Sequence, residues 1–141
     1  MARVFWDTNL FIYLFERNVE WSDRVIDFRR CMVARRDELV TSYLTVGEAL
    51  TKPREMGNFA LEKSYLNFFL NGPVELVAFE IDAAKRYAEI RSSGRVRPAD
   101  AIQLACAAAA KVDLFVTNDN RLSAMTVSGV TFITGIERIP Y

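Results

Sequence analysis

The stretch Arg3-Val4-Phe5-Trp6-Asp7-Thr8-Asn9, read together with Leu114-Phe115-Val116-Thr117-Asn118-Asp119-Asn120, decides the fold class of this chain. Each is a short β-branched and aromatic run that passes directly into an acid set among capping and turn residues. Further runs of this kind predict strands over Leu39–Thr41, Val74–Ala78 and Val130–Ile133, besides Arg3–Trp6 and Leu114–Thr117. Between them lie helix-length stretches: Thr8–Glu16, Ser22–Arg36, Tyr43–Leu50, Phe59–Leu70, Asp82–Arg91 and Pro98–Lys111. Strands alternating with helices point to an α/β sandwich around a mainly parallel, five-stranded sheet. In such sheets ligands bind outside the carboxyl ends of the strands, where Asp7 and Asp119 fall.

Punctuation supports these boundaries. Asp82 is placed to cap the helix entering Ala83-Ala84, Pro98 suits a first helical turn, and Asn71-Gly72-Pro73 is a stop. The 141 residues contain no linker, repeat or low-complexity tract, so a single domain over 1–141 is expected.

Two more acids join the pair by their settings. Glu48 lies in Thr45-Val46-Gly47-Glu48-Ala49-Leu50, at the head of a helix that follows the Leu39–Thr41 strand. Asp100 is the one charged residue between Arg97 and Lys111, on a helix with seven alanines among the thirteen residues Pro98–Ala110. Such a helix is buried around most of its circumference, so Asp100 and Gln103, at i,i+3, stand out.

Each acid also has a plain structural reading. Asp7 suits an N-cap, Asp119 an Asx turn, Glu48 a surface pair with Lys52 at i+4, and Asp100 the positive end of its helix. Their joint setting favours a shared site. At ~5 Å and an effective dielectric of ~20, each ionised pair of converging carboxylates costs about 3 kcal/mol, so the cluster needs a cation or must surrender charge.

The composition narrows the chemistry. There is no histidine, which excludes Ser-His-Asp catalysis and histidine zinc sites, and Cys31 and Cys106 have no CxxC spacing. Oxygen-only sites suit Mg²⁺ or Mn²⁺, ions that commonly pair with phosphate oxygens.

Formal net charge is zero and 26% of residues are charged, so no global positive field advertises nucleic acid. Local basic clusters at Arg29, Arg30, Arg35 and Arg36, and at Lys85, Arg86, Arg91, Arg95 and Arg97, can still follow a phosphate backbone or be solvated helix faces. The second leads through Ser92-Ser93-Gly94 into the Asp100 helix, which makes it the better functional candidate. No secretory signal or membrane-spanning run is visible, and the two unpatterned cysteines suit a reduced cytoplasm.

The ordered set Val4-Phe5-Trp6-Asp7-Thr8-Asn9, Gly47-Glu48-Ala49, Arg97-Pro98-Ala99-Asp100-Ala101-Ile102-Gln103-Leu104-Ala105 and Phe115-Val116-Thr117-Asn118-Asp119 resembles the PIN domains, especially the VapC-type ribonuclease toxins. The resemblance implies a three-layer α/β/α sandwich with a central parallel sheet and a metal-dependent endoribonuclease. It assigns Asp7, Glu48, Asp100 and Asp119 as catalytic and metal-binding acids for Mg²⁺ or Mn²⁺. Asn9, Thr117 and Asn118 match the supporting polar residues, and Arg97 is a candidate phosphate contact.

It further implies an RNA substrate, a cognate antitoxin and a second copy of the chain as partners, with Phe11, Phe15 and Trp21 as candidate antitoxin-groove residues. Alternatives are a stand-alone PIN nuclease in RNA processing and a non-catalytic PIN-like RNA- or protein-binding module. A phosphoaspartate fold fits poorly, since Asn9 stands where a haloacid-dehalogenase-like phosphatase needs a second Asp.

Overall fold

The computed structural model describes residues 1–139. Five strands form one sheet: β1 (Arg3–Trp6), β2 (Glu38–Ser42), β3 (Glu75–Val77), β4 (Leu114–Thr117) and β5 (Phe132–Gly135). The helices are α1 (Thr8–Phe15), α2 (Ser22–Arg35), α3 (Tyr43–Glu55), α4 (Phe59–Asn71), α5 (Ile81–Ser92), α6 (Pro98–Ala109) and the short α7 (Asn120–Ser123). A 3-10 turn follows at Ile136–Arg138. The sheet order is β3-β2-β1-β4-β5, and every pairing is parallel rather than mainly so.

The central strands read as unbroken apolar runs because both faces are covered, as parallel sheets require. Alternation reappears in which layer each side chain enters. Phe5, Val40 and Phe115 face α6, with the Phe5 and Phe115 rings stacked at 5.0 Å. Val4, Trp6, Leu39, Leu114 and Val116 point the other way, into an aromatic layer with Phe11, Phe28, Tyr65 and Phe69. The registers Val4↔Leu39, Phe5↔Val40 and Phe5↔Phe115 keep these two sets in step.

Small side chains explain α6. Ala101, Leu104, Ala105, Ala107 and Ala108 are all fully buried, so the helix lies against the sheet on one side and α5 on the other. Pro98 stands at its first turn, as the sequence predicts.

Three local expectations are corrected. Asp82 does not cap α5; the cap position is Glu80, and Asp82 sits in the first turn paired with Arg86 at 3.2 Å. The strand expected over Val130–Ile133 runs two residues later, because Val130 turns back on Val127 and is buried in the α6 layer. Helix α3 continues past Leu50 and through Pro53 to Glu55, although Pro53 has no N–H to donate to the Ala49 carbonyl one turn earlier.

The groove assignment is corrected in part. Phe11 is fully buried against Trp6, Phe68 and Phe69 and cannot line a groove, while Phe15 and Trp21 keep partial exposure. Among the described residues, no helix is long and apolar enough to cross a membrane.

Candidate active site

Chain order brings the acids together. From β1 the chain builds β2 and β3 on one side of the sheet, then crosses to β4 and β5 on the other, so the direction of winding reverses between β1 and β4. A crevice forms at the carboxyl end of such a switch point. The Asp7 amide donates to Val116 O at 3.0 Å, extending the β1–β4 pairing to the rim of that crevice.

A cleft of about 270 Å³ opens there, lined by Asp7, Thr8, Asn9, Ile12, Glu48, Ala99, Asp100, Gln103 and Asp119. All four predicted acids line it. They arrive on separate elements: Asp7 from the end of β1, Glu48 from the second turn of α3, Asp100 from the first turn of α6, and Asp119 from the loop after β4.

Asp7 is the most constrained. Its Oδ1 accepts from the Thr8 amide at 2.9 Å and from Gln103 Nε2 at 3.3 Å, and its Oδ2 from Thr117 Oγ1 at 2.7 Å. It caps α1 and also lines the cleft, so the capping role does not exclude a place in a site. Burial pushes its pKa up and the nearby Glu48 charge adds to that, against the lowering effect of the three hydrogen bonds.

Glu48 makes no ion pair with Lys52 among the described residues. Its Oε1 instead accepts from Thr8 Oγ1 at 2.6 Å, across from α3 to α1. Asp100 is also held above the usual carboxylate range, first by desolvation and then by the charges of Asp7 and Asp119, while Arg121 and Arg97 pull it back. Asp119 is held below that range, chiefly by its hydrogen bonds from Arg121.

The supporting residues divide. Thr117 Oγ1 donates to Asp7 and accepts from the Asp119 amide at 3.0 Å, tying two acids together through one hydroxyl. Asn9 is exposed at the cleft wall. Asn118 does not line the cleft; its Nδ2 donates to the Tyr13 hydroxyl at 2.9 Å and anchors the loop to α1. Arg97 occupies the cap position of α6 and acts on Asp100 and Asp119 through space.

Beneath the acids lies a buried polar network. Gln103 Nε2 donates to Thr45 Oγ1 at 2.7 Å and to Thr8 Oγ1 at 3.3 Å, while its Oε1 accepts from Ser42 Oγ. Thr41 Oγ1 bridges Thr45 at 2.8 Å and Trp6 O at 2.8 Å. Buried polar groups of this kind must be paired, and here each partner orients the next. The sequence signalled Gln103 as a lone amide on an apolar helix; Thr8, Ser42, Thr41 and Thr45 were hidden among ordinary capping and strand residues.

Among the described residues, no three or more Asp, Glu or Cys side chains are grouped so that they hold a metal ion as they stand. The donor chemistry nevertheless suits a hard cation: the acids surround one cleft and offer oxygen only, and neighbouring carboxylate charge adds to the burial that raises Asp7 and Asp100.

The profile of the PIN domain family matches residues 4–127. Similar solved structures are VapBC2 from Rickettsia felis bound to a DNA fragment from its promoter and DNA-bound VapBC from Salmonella typhimurium. The first has a TM-score of 0.74 at 16% identity, covering 94% of this chain and 97% of that one. The second has a TM-score of 0.69 at 17% identity, covering 96% and 99%. VapBC-5 from Mycobacterium tuberculosis has a TM-score of 0.57 at 20% identity, covering 95% and 99%. No curated protein matches the sequence. With its family match spanning most of the chain and an all-parallel sheet that carries the acids to one crevice, this protein belongs to the PIN-domain family.

Proposed function

We propose that this protein is a Mg²⁺- or Mn²⁺-dependent endoribonuclease and the toxin of a toxin–antitoxin pair. The observation that carries the reading is the meeting of Asp7, Glu48, Asp100 and Asp119 at one cleft in a chain without histidine. Burial and mutual repulsion oppose ionisation of Asp7 and Asp100, a conflict that a divalent cation relieves. A bound cation would lower the pKa of a coordinated water and neutralise charge developing on the phosphate.

The chain's own residues prepare that chemistry. Thr117, Gln103 and the Thr8 amide hold the Asp7 carboxylate in one orientation before any ligand arrives. Thr8 holds Glu48, the candidate for orienting the attacking water. Asp100 and Asp119 complete the donor set, and Arg97 stands where α6 begins, as a contact for the phosphate.

A protein antitoxin and a second copy of the chain are the proposed partners, supported by likeness to VapBC toxin–antitoxin complexes. Phe15 and Trp21 remain as antitoxin-groove candidates, and unchanged antitoxin affinity after their replacement by Ala would remove them.

The deciding experiment is incubation of antitoxin-free protein with a small-RNA pool and Mg²⁺ or Mn²⁺, beside an EDTA control and Asp100→Asn. Discrete fragments that vanish in both controls are expected. Absence of cleavage by folded protein that still binds RNA or a protein partner would instead identify a non-catalytic module.

A further inference from the structure

Asp119 is not a free ligand. Its Oδ1 accepts from the Arg121 amide at 2.9 Å and from Arg121 Nε at 3.0 Å, and its Oδ2 accepts from Arg121 Nη2 at 2.5 Å. The guanidinium therefore grips both oxygens of the carboxylate in the two-point geometry that makes arginine a strong carboxylate partner. Arg121 lies two residues on, in the first turn of α7, and its side chain is 55% exposed, so the guanidinium can swing away into solvent. Its charge also reaches Asp100. The other cation acting on these acids, Arg97, has only a through-space effect on Asp119.

We infer that Arg121 is a built-in competitor for the divalent cation: it occupies Asp119 in the metal-free cleft and must release it for the ion to be held fully. This rests on the metal-dependent reading above and adds a residue that sets how tightly the ion binds. A divalent cation and a guanidinium compete for the lone pairs of the same two oxygens, and their positive charges repel at that distance. Breaking the clamp therefore subtracts from the affinity of the wild-type site. Because the pair is partly solvated, the subtraction is modest and weakens as salt rises.

The test is calorimetric titration of MnCl₂ into metal-free protein at low and high salt, comparing wild type with Arg121→Gln, Arg97→Gln and Asp100→Asn. Arg121→Gln is expected to bind Mn²⁺ roughly three- to ten-fold more tightly than wild type at low salt, with a smaller gain in Arg97→Gln. Equal affinity in Arg121→Gln and wild type, with binding lost in Asp100→Asn, overturns the competitor role and leaves the metal site standing. An equal gain in both arginine variants also overturns it, since net charge and not the grip on Asp119 would then set affinity. No Mn²⁺ binding by wild type or Arg121→Gln overturns the metal-dependent reading and the inference together.

Discussion

At the scale of single residues, three of the four candidate acids combine a place at a helix start with a place at the cleft. Asp7 caps α1, Asp119 caps α7 and Asp100 fills the first turn of α6, yet all three face one cleft. The folded protein holds Asp7 and Asp100 above their ordinary pKa, so in that range it binds more protons than the unfolded chain. Their contribution therefore turns unfavourable as pH rises through the unfolded carboxylate range toward neutrality; Asp119, held low, contributes in the opposite sense. Metal-free Asp100→Asn is expected to be more stable than wild type at pH 7, by at most about 1 kcal/mol after solvent screening. The difference should shrink as pH falls and vanish only at about pH 3 or below, where the carboxyl is protonated in both folded and unfolded chains, and urea melts at the two pH values check it.

Gln103 is the reverse case, a residue whose removal harms the fold and the site together. Gln103→Ala leaves Ser42, Thr45 and Asp7 short of partners in a buried layer. A loss of about 1–3 kcal/mol in urea denaturation is expected, with weaker RNA cleavage from the loosened Asp7. Unchanged stability would mean that water replaces the amide.

At the scale of elements, α6 shows why composition mattered. Its alanines admit the helix close to the sheet, and Ala105 is completely buried. Ala105→Leu is expected to destabilise by about 1–3 kcal/mol, readable as a lowered melting midpoint, because the added atoms have no space without moving α6. Strands β1 and β4 run over the residues predicted for them, since a strand buried on both faces leaves a continuous apolar run. The edge strand β5 was misplaced because Val130 and Thr131 look like strand residues locally. The ladder with β4 starts at the pair Leu114↔Phe132. Helix α7, of four residues, is too short to leave a periodic signal.

At the scale of the whole molecule, the two basic clusters separate. Helix α2 ends where β2 begins, so Arg35 and Arg36 lie toward the amino end of the sheet, whereas Arg97 starts α6 at the carboxyl end beside the acids. Arg97→Ala is expected to weaken RNA binding by about three- to ten-fold, in the manner of one lost phosphate contact, with a shallower salt dependence. Arg35→Ala with Arg36→Ala is expected to leave binding near wild type, and fluorescence anisotropy at two salt concentrations distinguishes these outcomes.

The alternation of strands and helices, the parallel class of sheet, four acids as candidates for one site and the exclusion of histidine chemistry were all legible in the sequence. Those features are local: they follow from hydrophobic period, capping preference and residue type. The tertiary structure alone decided that the acids share one cleft and that Phe11 belongs to the core. It also decided that Gln103, Thr8 and Thr45 support the acids from below, and that Arg121 holds Asp119. Gln103 reaches Asp7 across 96 positions and Thr8 meets Glu48 across 40. Such contacts arise only when the order β3-β2-β1-β4-β5 brings the carboxyl ends of β1, β2 and β4 side by side, because pairing order is a property of the assembled sheet and of no single segment.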